Sequence, residues 1–226
     1  MQLTRFGVLA GLFVAAIFCV TAHSYGGGKE AAETDVDDWA ERNYSAVLAS
    51  VLPIGAIEVD KFPRDVRWIV TVRIIPPFEK PEFRFSLQKK YDGKIEALVS
   101  TPRGSPILTQ LRELKRKKPE ATVEQISSLV AIQHLTVTDR DCPEVNRLAR
   151  QLESLKLSAV LPDEISMDST GYEFWSQALW GNRMQVRLGG PGPDALKQPN
   201  PLLEWIEDAR HTLSRSCLVP AGSQVR

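Results

Sequence analysis

Val66-Arg-Trp-Ile-Val-Thr-Val-Arg-Ile-Ile75, Phe83-Arg-Phe-Ser-Leu-Gln-Lys-Lys90 and Ile95-Glu-Ala-Leu-Val-Ser100 follow one another within a single stretch of the chain. Val66, Trp68, Val70, Val72 and Ile74 alternate with Arg67, Thr71 and Arg73, the period of a strand with one solvated face. Pro76-Pro77 ends that strand, because proline removes the N–H that a ladder needs. Phe83, Phe85 and Leu87 repeat the pattern, as do Ile95, Ala97 and Val99. Asp92-Gly93 between the last two runs signals a hairpin, since the favoured turn needs positive φ. Residues 65–100 therefore predict a three-stranded antiparallel meander.

Helical periods flank this meander. Ala40, Tyr44, Val47, Leu48 and Val51 recur at helical spacing after the acidic start Asp35-Val-Asp-Asp38. Ser105-Pro106 predicts an N-cap with a first-turn proline, for a helix ending in Arg112-Glu-Leu-Lys-Arg-Lys-Lys118. Thr122 with Gln125 forms a capping box for a helix carrying Val123, Ile126, Leu129 and Val130. Asp141 with Glu144 predicts another, whose apolar stripe is Val145, Leu148, Leu152 and Leu155.

Alternation then returns. Tyr172, Phe174, Ser176 and Ala178 precede a turn at Gly181-Asn182, and Met184, Val186 and Leu188 follow it, predicting a hairpin over 171–188. Gly189-Gly-Pro-Gly-Pro193 reads as a loop, and Asn200-Pro201 starts a last helix with Leu202, Ile206, Ala209 and Leu213 inward. The expected class is α+β: the meander and the hairpin form an antiparallel sheet packed against several helices.

The N-terminus carries a different signal. Arg5 precedes the apolar run Phe6 to Val20, and Val20-Thr21-Ala22 offers small residues for signal peptidase. Residues 1–22 read as a signal peptide cleaved near Ala22, which implies an exported protein, periplasmic or secreted. An uncleaved anchor is the other reading, and would be the chain's one route to a membrane. The expected division is a flexible segment 23–34, one α+β domain over 35–217 and a disordered tail 218–226. Beyond the signal segment two cysteines remain, Cys142 and Cys217. An export compartment favours their pairing as a disulfide, with two free thiols as the alternative.

Composition bounds the function. The 226 residues hold 28 Lys+Arg against 28 Asp+Glu, a balance without the basic excess of a nucleic-acid-binding domain. Three His and three Cys leave little for a zinc cluster, and no metal or cofactor is expected. The chain has no G-x-S-x-G elbow, H-E-x-x-H pair or phosphate-binding loop. His23 falls at the expected mature terminus, His134 at a helix end and His211 in the last helix, none at ligand spacing. The Arg112–Lys118 run completes the negative end of its helix.

Trp175, Trp180 and Arg183 surround the second hairpin. Trp175 falls on the strand face opposite Tyr172 and Phe174, so it is either covered by another element or exposed as a contact surface. The resulting expectation is a non-catalytic binding or envelope-accessory protein, using Trp175, Trp180 and Arg183 to hold an unknown protein or envelope component. The alternative is a secreted hydrolase drawing on carboxylates such as Asp163, Asp168 and Glu173, which need only meet in space.

Overall fold

The computed structural model describes residues 27–55, 57–58, 61–77, 80–155, 170–178, 183–189 and 200–217. The expected signal peptide, the tail from 218, Trp180, Asp163 and Asp168 lie outside them.

In chain order the elements are α1 (Gly27–Val51), β1 (Val66–Ile75), β2 (Phe83–Lys90), β3 (Ile95–Pro102), α2 (Ile107–Lys117), α3 (Val123–Ser127), β4 (Ile132–Thr138), α4 (Glu144–Ser154), β5 (Gly171–Ala178), β6 (Arg183–Gly189) and α5 (Pro201–His211), which continues into a π-turn at Thr212–Ser216. The six strands make one sheet in the order β4-β3-β2-β1-β5-β6, with every pairing antiparallel. The α+β antiparallel fold expected from the strand and helix periods is the fold observed.

The meander forms in its expected order. Its second turn is a three-residue loop, closed by Lys90 N–H to the Lys94 carbonyl at 2.8 Å, with Gly93 at φ +89°. That left-handed position in the turn is where glycine costs nothing.

One sheet face carries the main core. Val72, Phe85, Val99 and Phe174 pack there beneath Val145, Leu148 and Ala149 of α4 and Leu202, Ile206 and Ala209 of α5. Trp205 joins them, its ring 5.9 Å from Phe85 and 6.3 Å from Phe174, while its indole N–H donates to the Leu148 carbonyl. Cys142, before α4, is bridged to Cys217, beyond α5. The Cα atoms stand 5.5 Å apart, so the bond clamps the two covering helices together. A second core joins α1, α2 and α3 through Val47, Leu48, Leu52, Ile107, Leu111 and Ile126.

Local readings fail at several places. α1 takes in residues 27–34 of the expected N-terminal segment, where Lys29, Glu30, Ala31, Ala32 and Glu33 are strong helix formers; residues 23–26 lie outside the described residues. Ser105 does not cap α2. Pro106 occupies the cap position, and the Ile107 N–H donates instead to Glu82 Oε2 at 3.0 Å. Asp141 bonds Thr138 rather than α4, whose cap position is Pro143. The Thr122–Gln125 capping box forms, but its helix stops at Ser127. His134 is not at a helix end: it lies within β4, a strand absent from the sequence reading, and meets Ser100 Oγ at 2.9 Å through Nδ1.

Candidate functional site

The reverse face of the sheet is only partly covered. From β1 it presents Ile69, Thr71 and Arg73; from β2, Arg84, Ser86 and Gln88; from β3 and β4, Leu98, Ser100, His134 and Thr136. Thr71 and Arg73 were expected to meet solvent, yet both are buried, because the end of α1 and the segment after it lie over β1. Arg73 Nη1 donates to the carbonyls of Leu52 at 2.9 Å and Leu48 at 3.3 Å, the latter already accepting from the Leu52 N–H, so the guanidinium sits against the last turn of α1.

That covering segment is pinned at two points. Arg84 Nε donates to the Pro53 carbonyl at 2.6 Å. Further along, Gln177 grips Ile57 from both sides, accepting its N–H at 3.0 Å and donating to its carbonyl at 2.8 Å. Between the segment and the bare strands runs a groove of about 600 Å³. Its walls are apolar, from Pro53, Ile54, Ile57 and Trp175, and its floor is Thr71, Ser86, Leu98 and Thr136. Leu98 is 36% exposed there, one of few large apolar side chains left so open among the described residues.

The charges around this groove are uneven. Arg73 and Arg84 face each other across β1 and β2. Arg73 is met by Glu173 of β5, which also lies 3.4 Å from Arg187 of β6. No carboxylate pairs with Arg84 among the described residues. Burial, then the neighbouring Arg73 charge, holds the Arg84 pKa below the usual guanidinium range. A guanidinium stays charged in proteins even so, and Arg84 leaves the groove end positive. At the opposite end Glu96 is satisfied by Lys90 at 2.7 Å and by Gln88 at 2.6 Å. The Lys90 bond, with a smaller contribution from Gln88, holds the Glu96 carboxyl below its ordinary range.

The residues singled out from the sequence are dispersed or otherwise engaged. Trp175 is 4% exposed and packs with Phe62, Val66 and Ile69, so its ring is a core element that borders the groove and not an exposed contact surface of the hairpin. The cover comes from the chain after α1, whereas Trp205 serves the opposite face. Arg183 is exposed at the start of β6, and Glu173 is engaged by arginine. Of the basic run, Arg112 pairs with Asp37 at 3.1 Å and Glu41 at 3.2 Å, while Lys115 lies 4.7 Å above the Trp39 ring. That run ties α2 to α1. Among the described residues no three His, Cys, Asp or Glu side chains gather as metal ligands, and no helix is long and apolar enough to cross a membrane.

Arg84, Leu98 and Thr136 were not marked by sequence reasoning. Their one local trace is a reverse face whose alternating positions Thr71, Ser86, Leu98 and Thr136 are small or neutral rather than charged. Comparison with known proteins brings no match, whether to a family model, a curated protein or a solved structure.

Proposed function

We propose that this chain is an exported, non-catalytic binding protein, and that its ligand seat is the groove on the reverse sheet face rather than the second hairpin. The observation that carries the reading is the pairing of apolar walls with the unmatched Arg84 charge at one end. Such a site fits an extended peptide segment of a partner protein, with apolar side chains along the groove and a carboxylate at Arg84. Apolar lining with a few fixed polar groups is the usual make-up of a binding cleft. The export element of the reading rests on the N-terminal segment, with its charged start, apolar run and small residues at Ala22.

The hydrolase reading is weaker on the same ground. Glu173, its one described carboxylate, is occupied by Arg73 and Arg187, which leaves it unsuited to shuttling a proton.

Calorimetric titration with short Leu- and Val-rich peptides tests the proposal, each peptide used with a free C-terminal carboxylate and as its amide. The carboxylate form is expected to bind about tenfold more tightly, as suits one charge-assisted hydrogen bond to a guanidinium. Arg84→Gln should abolish that preference, and Leu98→Asp should weaken both forms. Equal binding of acid and amide, or a preference that survives Arg84→Gln, removes the groove from consideration.

A further inference from the structure

The two edges of the sheet are built differently. β6 carries Arg183 and Arg187, charges of the kind that keep an edge strand from pairing with another chain. β4, Ile132-Gln-His-Leu-Thr-Val-Thr138, has no Lys, Arg, Asp, Glu, Pro or Gly. Gln133, His134 and Thr136 are exposed along it.

Its hydrogen-bonding phase can be read from its two ends. Arg103 N–H donates to the Ala131 carbonyl at 2.8 Å, and Asp139 N–H donates to the Ile95 carbonyl at 3.1 Å. Odd-numbered residues therefore bond inward to β3, and the main-chain groups of Ile132, His134, Thr136 and Thr138 point outward. Thr138 is already used, since its carbonyl accepts from Asp141 and Cys142 and its N–H faces Asp141 Oδ2. Three consecutive outward positions, Ile132, His134 and Thr136, have no main-chain partner among the described residues.

We propose that β4 is the interface of a two-fold homodimer, pairing antiparallel with β4 of a second copy about His134. In that register Ile132 faces Thr136 of the partner subunit, His134 faces its own copy, and Thr136 faces Ile132 of the partner subunit. Every open main-chain group then gains a partner, and the occupied Thr138 is left outside the ladder. The result is a continuous sheet of both copies. A second copy fits as the occupant because its own β4, run backwards, presents the same three outward positions, and the charges beside the strand ends select it over an unrelated strand.

Charge favours the same partner. Arg103 lies beside the start of β4, and Asp139, Arg140 and Asp141, a run with one net negative charge, follow its end. Antiparallel pairing brings the basic end of one copy to the acidic end of the other, twice by symmetry. Neither Arg103 nor Asp139 has an ion pair among the described residues.

The test is made on the purified full chain, by sedimentation equilibrium together with hydrogen exchange over a range of protein concentrations. The expected result is a monomer–dimer equilibrium in which the amides of Ile132, His134 and Thr136 exchange about tenfold more slowly as dimer accumulates. Leu135 and Val137, bonded to β3, should be protected throughout. Thr136→Pro removes an outward N–H at an edge position that tolerates proline, and should give a monomer. Should that variant not fold, Arg103→Glu is expected to weaken association, and adding Asp139→Arg to restore it. A chain that stays monomeric overturns the proposal. So does a dimer that protects β6 instead, or one that is indifferent to both the proline and the charge changes.

Discussion

Arg73 and Glu173 stand opposite each other across β1 and β5, and Arg73 Nε donates to Glu173 Oε2 at 2.6 Å. The same guanidinium reaches the carbonyls of Leu48 and Leu52, so one side chain joins the sheet to the end of α1. A cation suits that end because the helix dipole leaves it negative. Arg73 is 7% exposed, and burying such a charge is tolerable only while both the carboxylate and the carbonyls hold it.

Glu173→Gln is therefore expected to destabilise the protein by about 3–5 kcal/mol, the cost of leaving a buried charge without its counter-ion. Arg73→Lys keeps the charge but loses the planar fork, and should fall between wild type and Glu173→Gln. Urea midpoints rank the three proteins. Equal midpoints for wild type and Glu173→Gln would show that the pair does not support the fold.

The Cys142–Cys217 bridge spans a sequence separation of 75 and joins the ends of the two helices that cover the main core. Restricting the unfolded chain by a loop of this size contributes about 4 kcal/mol in the chain-entropy account. Dithiothreitol, or a paired Cys→Ser change at both positions, should lower the urea midpoint to match and raise the m-value, because the unfolded chain without the bridge is less compact and exposes more surface. An identical midpoint in oxidised and reduced protein counts against the clamp.

Glu82 is 3% exposed and accepts from both the Tyr44 hydroxyl and the Ile107 N–H. Tyr44→Phe removes one donor from a buried carboxylate and is expected to cost about 1–3 kcal/mol. Burial first, then the bond to Glu82, raises the Tyr44 pKa above its ordinary value of 10.0. Tyr172 is raised likewise, by burial and by its bond to Glu207. Both phenols hold their proton more firmly in the folded chain than in the unfolded one. Their contribution is thus complete below pH 10 and is lost as pH rises above it. Urea midpoints taken through that range should fall, and fall less steeply for Tyr44→Phe.

Trp175→Ala should behave as a core truncation, at about 3–5 kcal/mol. Its ring fills the space between Phe62, Val66 and Ile69. Arg183→Ala, at an exposed position, should leave stability within about 0.5 kcal/mol of wild type. Thermal melts of the two variants separate buried anchor from surface residue. A harmless Trp175→Ala would return that ring to the protein's surface.

The strands of the meander and the second hairpin were legible because their signals are local. Val66 to Ile74, Phe83 to Leu87 and Ile95 to Val99 alternate at the strand period, and the prolines and Gly93 mark where the chain must turn. Asn200 likewise caps α5 from its own neighbourhood, accepting from the Leu202 and Leu203 N–H groups. β4 was hidden, as a seven-residue edge strand with mixed polar and apolar positions carries no clear period. The groove was hidden more deeply, since Arg84, Leu98 and Ile57 come from three parts of the chain with no shared motif.

What this amino-acid sequence determined alone was the inventory: which segments are helices and strands, where most of them turn, and that the class is α+β. Periodicity, capping and glycine are consequences of backbone geometry within a few residues, and they act before any distant contact forms. Only the tertiary structure decided that β5 pairs with β1, that Glu82 caps α2 in place of Ser105, that Arg73 and Trp175 are buried, and that Arg84 is left unmatched beside an open groove. Each of these depends on which surface comes to lie over another. An arginine or a tryptophan is compatible with solvent or with burial, and the partner that chooses between them lies tens of residues away.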